Sequence, residues 1–518
     1  MSEYPFEWRE VEGSLVAFAR DARGREIRPA WAPQEGSQVA FLECPIFEAL
    51  YEGTRGPGKT DALLMDFAQH VGKGYGRAWR GVIFRQTYDQ LKDLMDKALN
   101  WFPSIFPGAR WNQSDKVWTF PDGEQLLMRY MERPQDYRNY HGHAYPWIGF
   151  EELTTWADDQ CYKLMMSCCR STMPGMPRRF RATTNPYGVG HNWVKLRFGL
   201  PVPPQAIIGN VIDYQMDDPI SGKKITLQRV AIHGDLSENK ILLHTDPEYP
   251  ARIAEAARNE AEKRAWLYGD WDVVAGGMFD DIWFEAKNRV VVPRFKVPRE
   301  WRIDRSFDWG SARPFSVGWW AESNGEDLTF EDGRTISTVP GDLFRIHEWY
   351  GWSGEPNEGS KMLARDIAKG IRQREIDWGI ADRVSTGVAD SAIFSTEDGH
   401  SIADELGASI RLDSGETVSG LKWHPSDKGK GSRAQGWEIM RKRLAATVPQ
   451  GGPREEPGLF VVGPECPHFL RTVPTIPRSD KNLDDVNTDA EDHVADEVRY
   501  RVRWERPVAK GGRVKGMT

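Results

Sequence analysis

The stretch Gly53-Thr54-Arg55-Gly56-Pro57-Gly58-Lys59-Thr60 decides how the first half of this chain folds. It follows an apolar run, residues 47–52, and precedes Asp61-Ala-Leu-Leu-Met-Asp-Phe-Ala-Gln-His, whose apolar spacing is helical. Glycines let a loop turn its backbone N–H groups inward around an anion, and the helix that follows adds its positive N-terminal end. Gly53, Gly58, Lys59 and Thr60 occupy the fixed positions of GxxxxGK[ST]. Lys59 is therefore expected to reach the outer phosphates of ATP, and the Thr60 hydroxyl to bind magnesium. All eight residues from Gly53 to Thr60 are read as the nucleotide-binding loop.

Such a loop needs an acid at the end of another strand. Residues 145–150, Tyr-Pro-Trp-Ile-Gly-Phe, have the apolar continuity of a buried parallel strand and run into Glu151 and Glu152. Glu151 is expected to hold magnesium through water, and Glu152 to orient and deprotonate the attacking water. Further strands are read at 81–84, 118–120, 125–130 and 180–184, with helices at 87–99 and 161–170. Alternating strands and helices predict a mostly parallel α/β sheet covered on both faces. Its carboxyl edge would gather Lys59, Glu151 and Asn185 beside one nucleotide, with Asn185 placed to sense the γ-phosphate. Arginines neutralise charge that develops in phosphoryl transfer. Arg55 would act in cis from within the loop; Arg85 or Arg138 would act on a neighbouring subunit's nucleotide, and the residues do not choose among them.

With 518 residues, 40% hydrophobic and 28% charged, the composition is that of ordinary globular material too long for one core. No run of eighteen apolar residues predicts a membrane span, and the start MSEYPFEWRE lacks the basic and apolar segments of a signal peptide. Five cysteines without a Cys-x-x-Cys and histidine pattern argue against zinc and fit a reducing cytoplasm. A net charge of −8 is not the footprint of a nucleic-acid binder, so any such contact must come from local basic stretches. The 22 tryptophans are assigned to cores.

Proline, glycine and charge cluster between 275 and 300, which divides the chain into 1–275, a linker at 276–299, a second domain at 300–505 and a basic tail at 506–518. In the second domain a strand ends at Asp308, strands at 314–321 and 343–350 complete an antiparallel meander, a helix is read at 360–373, and a further strand ends at Asp390. A last helix, 489–503, carries Glu491, Asp492, His493 and Asp496; the four-residue spacing places Asp492 and Asp496 on one helix face. Two strand ends and one helix can bring Asp308, Asp390 and Asp496 to one edge of a mixed sheet. Clustered carboxylates repel unless cations bind among them. Oxygen-only ligands suit magnesium or manganese, and two such ions stabilise both the attacking and leaving oxygens of a phosphodiester. The loop bearing Lys428, Lys430 and Arg433 is basic and glycine-containing, suited to backbone phosphates.

Taken in order, GTRGPGKT at Gly53, FEELT at Phe150, TTNP at Thr183, GHNWVKLRF at Gly190, DLSENKILLHTDPEYPARI at Asp235, LYGDWDVVAGGMFDD at Leu267, SFDWG at Ser306, GVADSA at Gly387 and EDHVADEVRY at Glu491 make the chain resemble the large subunit of a tailed-phage terminase. The resemblance runs from about Phe47 to Tyr500. It implies an ASCE-type P-loop ATPase joined to a ribonuclease H-like nuclease. It places Lys59 and Thr60 on the phosphate and magnesium positions, Glu151 on the metal-binding acid, Glu152 on the catalytic acid and Thr184-Asn185 on the coupling motif. Asp308, Asp390 and Asp496 fall on the nuclease metal ligands, with Asp492 and His493 beside them and the choice between Asp492 and Asp496 open. It further implies double-stranded DNA, a portal protein and a small terminase subunit as partners. The setting it implies is a homo-oligomeric ring, five subunits being expected, in the host cytoplasm on a procapsid. A helicase-like translocase without cleavage is the alternative; it would want a second motor domain where these aspartates stand.

Overall fold

A computed structural model describes residues 5–272, 276–397, 399–448, 452–479 and 481–504, with no description of the side chains of 284 and 397. The basic tail at 506–518 lies outside the described residues. The chain divides into two compact units between Asp281 and Ile282. That division falls inside a helix, Asp280–Val290, followed by a short strand, Val291–Val292, in the segment expected to be a linker.

The first unit opens with a three-stranded antiparallel sheet, Glu7–Val11 (β1), Ser14–Arg20 (β2) and Glu26–Ile27 (β3). Its main sheet contains Glu48–Gly53 (β4), Arg80–Arg85 (β5), Arg110–Asn112 (β6), Val117–Thr119 (β7), Gln125–Tyr130 (β8), Trp147–Phe150 (β9), Arg179–Thr183 (β10), Ile212–Asp217 (β11) and Lys224–Gly234 (β12). The order is β11-β12-β4-β10-β9-β5-β8-β7-β6. From β12 to β8 every neighbouring pair is parallel; β11, β7 and β6 extend the edges antiparallel. One strand, β10, lies between the strand that enters the phosphate loop and the strand that ends in Glu151. The sheet is buried on both faces. On β4, Ala49 and Tyr51 enter one core with Phe67, Ile83 and Trp147, while Leu50 enters the other with Val82, Phe150 and Phe180. This two-residue alternation between two apolar layers is why the strands read as continuous apolar runs.

In the second unit, Val291–Val292 (β13), Arg302–Asp308 (β14), Phe315–Glu322 (β15), Leu343–Gly351 (β16), Gly387–Ala389 (β17), Trp423–Pro425 (β18) and Leu459–Val462 (β19) form one sheet, ordered β13-β19-β16-β15-β14-β17-β18. Only β15 runs against its neighbours. The mixed sheet and the meander β14-β15-β16 agree with expectation. The helix read at 360–373 spans Ala364–Asp377, and the last helix spans His493–Arg503 rather than beginning at 489. Asp492 is therefore the N-cap of that helix; its carbonyl accepts from the Asp496 N–H at 2.8 Å and both carboxylates face Arg433, so the two stand one turn apart on one side, as expected.

The last helix lies along β14, and their repeats match. Ile303 and Phe307 enter the apolar core. Asp304, Ser306 and Asp308 face the other way and meet Arg501, Glu497 and His493 in turn. Two strand residues advance about 6.6 Å and four helical residues about 6 Å, so polar positions two apart on β14 meet positions four apart on the antiparallel helix. Glu497 anchors the middle rung, buried and bonded to Ser306, Ser316, Trp320 and Arg345.

Candidate functional site

In the first unit, β4 delivers the phosphate loop and helix Lys59–Ala68 leaves it, with Gly58 at its N-cap in the left-handed region at φ 85°. A side chain there would be strained, which is why the motif needs glycine. Lys59 is buried, its Nζ 2.5 Å from the Thr54 carbonyl, and burial lowers its pKa to about 8 despite Glu152 and Glu52 nearby. Burial raises Glu151, against the opposing effects of Arg85, 3.5 Å away, and a hydrogen bond from Thr60. Glu152 sits in the left-handed region at φ 54°, uncommon for a residue with a long side chain. Glu152, Asn185, Lys59 and Thr60 line one cavity of about 1040 Å³. Glu152 Oε2 and Asn185 Oδ1, both buried, have no hydrogen-bond partner among the described residues. Thr154 Oγ1 joins Thr184 Oγ1 at 2.7 Å, tying the turn after Glu152 to the strand end carrying Asn185.

The three arginines separate. Arg55 stacks on Trp266, its guanidinium carbon 3.7 Å from the ring centroid, while its backbone N–H donates to the Trp266 carbonyl. Arg85 is engaged by Glu151 and the Gln90 carbonyl. Arg138 is exposed on a short 3₁₀ helix, Pro134–Asn139. Sequence reading missed several parts of this site. Gln38 donates to the Pro57 carbonyl at 2.9 Å, and Asn239 donates to the Gly56 carbonyl at 2.6 Å, so both brace the loop. Trp8, Arg28 and Trp31 from the N-terminal segment also line the cavity. Asn239 lies in the stretch quoted from Asp235 but without an assigned role, and the others fall in no motif, so proximity alone reveals what they do.

In the second unit, Asp308 at the end of β14, Asp390 just after β17, and Asp492, His493 and Asp496 at the start of the last helix form one electrostatic cluster. Asp308 Oδ2 lies 3.4 Å from His493 Nδ1, and Asp308 Oδ1 accepts from Tyr500 at 3.2 Å. Burial, with repulsion from Asp496 and Asp390, pushes Asp308 up to about 6. Burial and the charges of Asp496 and Asp308 push Asp492 up to about 8. Burial works against charge on His493, yet Asp308 and Asp492 outweigh it and raise its pKa. Lys428 Nζ is 2.5 Å from Asp390, and Arg433 Nη1 is 3.0 Å from Asp496. Lys430 is exposed. The donors are oxygens, as hard divalent cations require. Among the described residues no group of three or more His, Cys, Asp or Glu stands arranged to hold a metal ion.

This chain is similar to large terminases of bacteriophages. The large terminase of a thermophilic bacteriophage is 13% identical, over 91% of this chain and 98% of that one, at a TM-score of 0.37. The HK97 bacteriophage large terminase is 12% identical over 90% and 92%, at a TM-score of 0.38. The P22 large terminase nuclease domain is 14% identical over 44% of this chain and 90% of its own, at a TM-score of 0.27. No family model and no curated protein matches the sequence. Among the described residues no helix is long and apolar enough to cross a membrane.

Proposed function

We propose that this chain is a DNA-packaging motor subunit that hydrolyses ATP in its first unit to move double-stranded DNA into a procapsid, and cleaves concatemeric DNA with its second. The observation that carries the reading is the convergence of Lys59, Thr60, Glu152 and Asn185 on one cavity, with the buried oxygens of Glu152 and Asn185 left free for a ligand. Lys59 neutralises the outer phosphates. Glu152 takes the proton of the attacking water. Asn185 reads the γ-phosphate and passes its loss through the Thr184–Thr154 bond. Thr60 and Glu151 would hold magnesium. Arg55 leaves Trp266 to meet developing charge in cis, and exposed Arg138, rather than engaged Arg85, serves a neighbouring subunit.

In the second unit, Asp308, Asp390 and Asp496, with Asp492 adjacent, would hold two magnesium or manganese ions. When bound, those ions supply charge stabilisation at the phosphodiester. His493 orients Asp308, and Lys430 contacts backbone phosphates. The packaging reading carries with it a portal protein, a small terminase subunit and a homo-oligomeric, pentameric ring on the procapsid in the host cytoplasm.

Plasmid cleavage with manganese or magnesium, alongside ATP hydrolysis, tests both halves in wild type and Asp390→Ala. Cleavage lost in the variant with hydrolysis retained is the expected result. A folded wild type that hydrolyses ATP on DNA and never cuts would move the helicase-like translocase reading ahead.

A further inference from the structure

Lys428 and Arg433 are expected from sequence to touch DNA, yet the structure turns both onto the carboxylate cluster. Lys428 belongs to the loop between β18 and helix Ser432–Ala445, and its Nζ lies 2.5 Å from Asp390 Oδ1. Its side chain keeps 52% exposure, whereas that of Asp390 keeps 14%. Arg433, in the first turn of the helix, reaches Asp496 at 3.0 Å and Asp485 at 3.0 Å, with Asp492 3.9 Å away. The loop is anchored at both ends. At its start the Ser426 N–H donates to the Ala389 carbonyl, Ser426 Oγ accepts from the Ser391 N–H, and Arg503 binds Asp427; at its end Arg503 also donates to the Ser432 carbonyl. Between these anchors, Gly429 and Gly431 flank Lys430, so the ammonium end of Lys428 can swing while the loop base stays in place.

One ammonium group cannot neutralise a half-buried aspartate and a DNA phosphate at once. We propose that Lys428 is the resident counter-cation of Asp390, and that transfer of Lys428 to a duplex phosphate frees Asp390 for a divalent cation. The inference rests on the nuclease reading. Metal and DNA then bind cooperatively: each removes an obstacle to the other, and the coupling is reciprocal. Without DNA, the cluster is held by the chain's own positive charges, which relieves the repulsion among Asp308, Asp390, Asp492 and Asp496. Arg433 is the less mobile of the two cations, since Asp485 holds it by a second contact, so the exchange falls on Lys428.

The test is manganese binding to the full chain without nucleotide, read from the loss of the free Mn²⁺ electron paramagnetic resonance signal. Wild type, Lys428→Met, Lys428→Arg and Asp308→Asn are compared with and without a short phosphorothioate duplex, whose own manganese uptake is subtracted. Without DNA, Lys428→Met should bind manganese roughly twofold to fivefold more tightly than wild type at a site that Asp308→Asn weakens, the range set by a partly exposed ion pair. Lys428→Arg should behave as wild type. Duplex should tighten manganese binding in wild type and leave Lys428→Met unchanged. Equal affinities in wild type and Lys428→Met, or an equal response of both to duplex, would overturn the inference while leaving an Asp308-dependent metal site intact. Absence of any Asp308-dependent manganese would overturn the nuclease reading and the inference with it.

Discussion

The phosphate loop and the aspartate cluster solve opposite electrostatic problems in opposite ways. On the proposed reading the loop would receive an anion with groups already fixed: backbone turned by glycine, a buried lysine, and braces from Gln38 and Asn239. On the proposed reading the cluster would receive cations with groups that repel one another; in this structure Lys428, Arg433 and His493 contact it instead. Preorganisation comes readily where the donors are neutral backbone groups. It is costly where the donors are buried carboxylates, because like charges in a poorly solvated site disfavour their own ionisation. The first site is therefore built to bind and the second to exchange.

The sharpest way to break this contrast is Glu152→Gln. If Glu152 alone activates water, ATP hydrolysis should fall by about 10² to 10⁴, with nucleotide affinity retained and plasmid cleavage unaffected. Steady-state hydrolysis and fluorescent-nucleotide binding measure the split. Equal loss of binding and hydrolysis would assign Glu152 to the cradle instead.

A paired glycine experiment compares the two units directly. A Cβ on Gly53, which has φ 128°, would sit 2.2 Å from the Gly234 carbonyl oxygen, and one on Gly387 would sit 1.7 Å from the Arg305 carbonyl oxygen. Backbone cannot yield as a flexible side chain can, so each alanine should destabilise its own unit by about 2–4 kcal/mol. Gly53→Ala should lose ATP hydrolysis and keep cleavage, and Gly387→Ala should do the reverse; thermal unfolding and the two assays read this. Joint loss in both variants would show that the units depend on each other for stability.

A smaller effect is expected at Gln38, which accepts from the Gln34 N–H at 2.7 Å while donating to Pro57. Gln38→Ala removes one brace of a preformed loop. Nucleotide affinity should weaken by about fivefold, the equivalent of one hydrogen bond of about 1 kcal/mol, with turnover at saturating ATP unchanged. A fall in turnover without a change in affinity would mean that Gln38 positions the reacting phosphate.

These contrasts also explain what the sequence disclosed. The phosphate loop was legible because its chemistry needs consecutive residues, and the burial of β4 and β9 on both faces wrote them as apolar runs. Asp308 and Asp390 were legible as acids at strand ends. The N-cap position of Asp492 was not, because residues 489–492 have the polar composition of a first helical turn and only backbone geometry ends the helix at His493. The partners of Lys428 and Arg433 were hidden for another reason. Basic residues beside glycine suit DNA and carboxylates alike, and only the fold shows which lies within reach. Asn239 and Tyr500 lie in quoted stretches and Gln38 in none, but the contacts of all three cross long sequence separations that no local pattern encodes.

The smallest effect tests whether the phosphate site keeps its own buried acid compensated. Glu52, on β4 just before the loop, accepts from Trp271 Nε1 at 2.6 Å and from His233 Nδ1 at 3.0 Å. Burial alone would lower His233, but the hydrogen bond to Glu52 and the charge of Glu52 outweigh it, and the pKa is raised above 6.5. A histidine raised in the folded state contributes its stability in full below the unfolded pKa and loses it as pH rises through the folded value. Because the imidazole is a quarter exposed, solvent screening limits that contribution to about 0.5–1 kcal/mol. Wild type should exceed His233→Gln in unfolding free energy by that amount below the unfolded pKa, and the margin should shrink as pH rises through the raised folded value. A margin that does not change with pH would mean that a neutral histidine makes the same bond. Glu52 would then carry an uncompensated charge beneath the phosphate loop, and the two sites would differ less in kind than in degree.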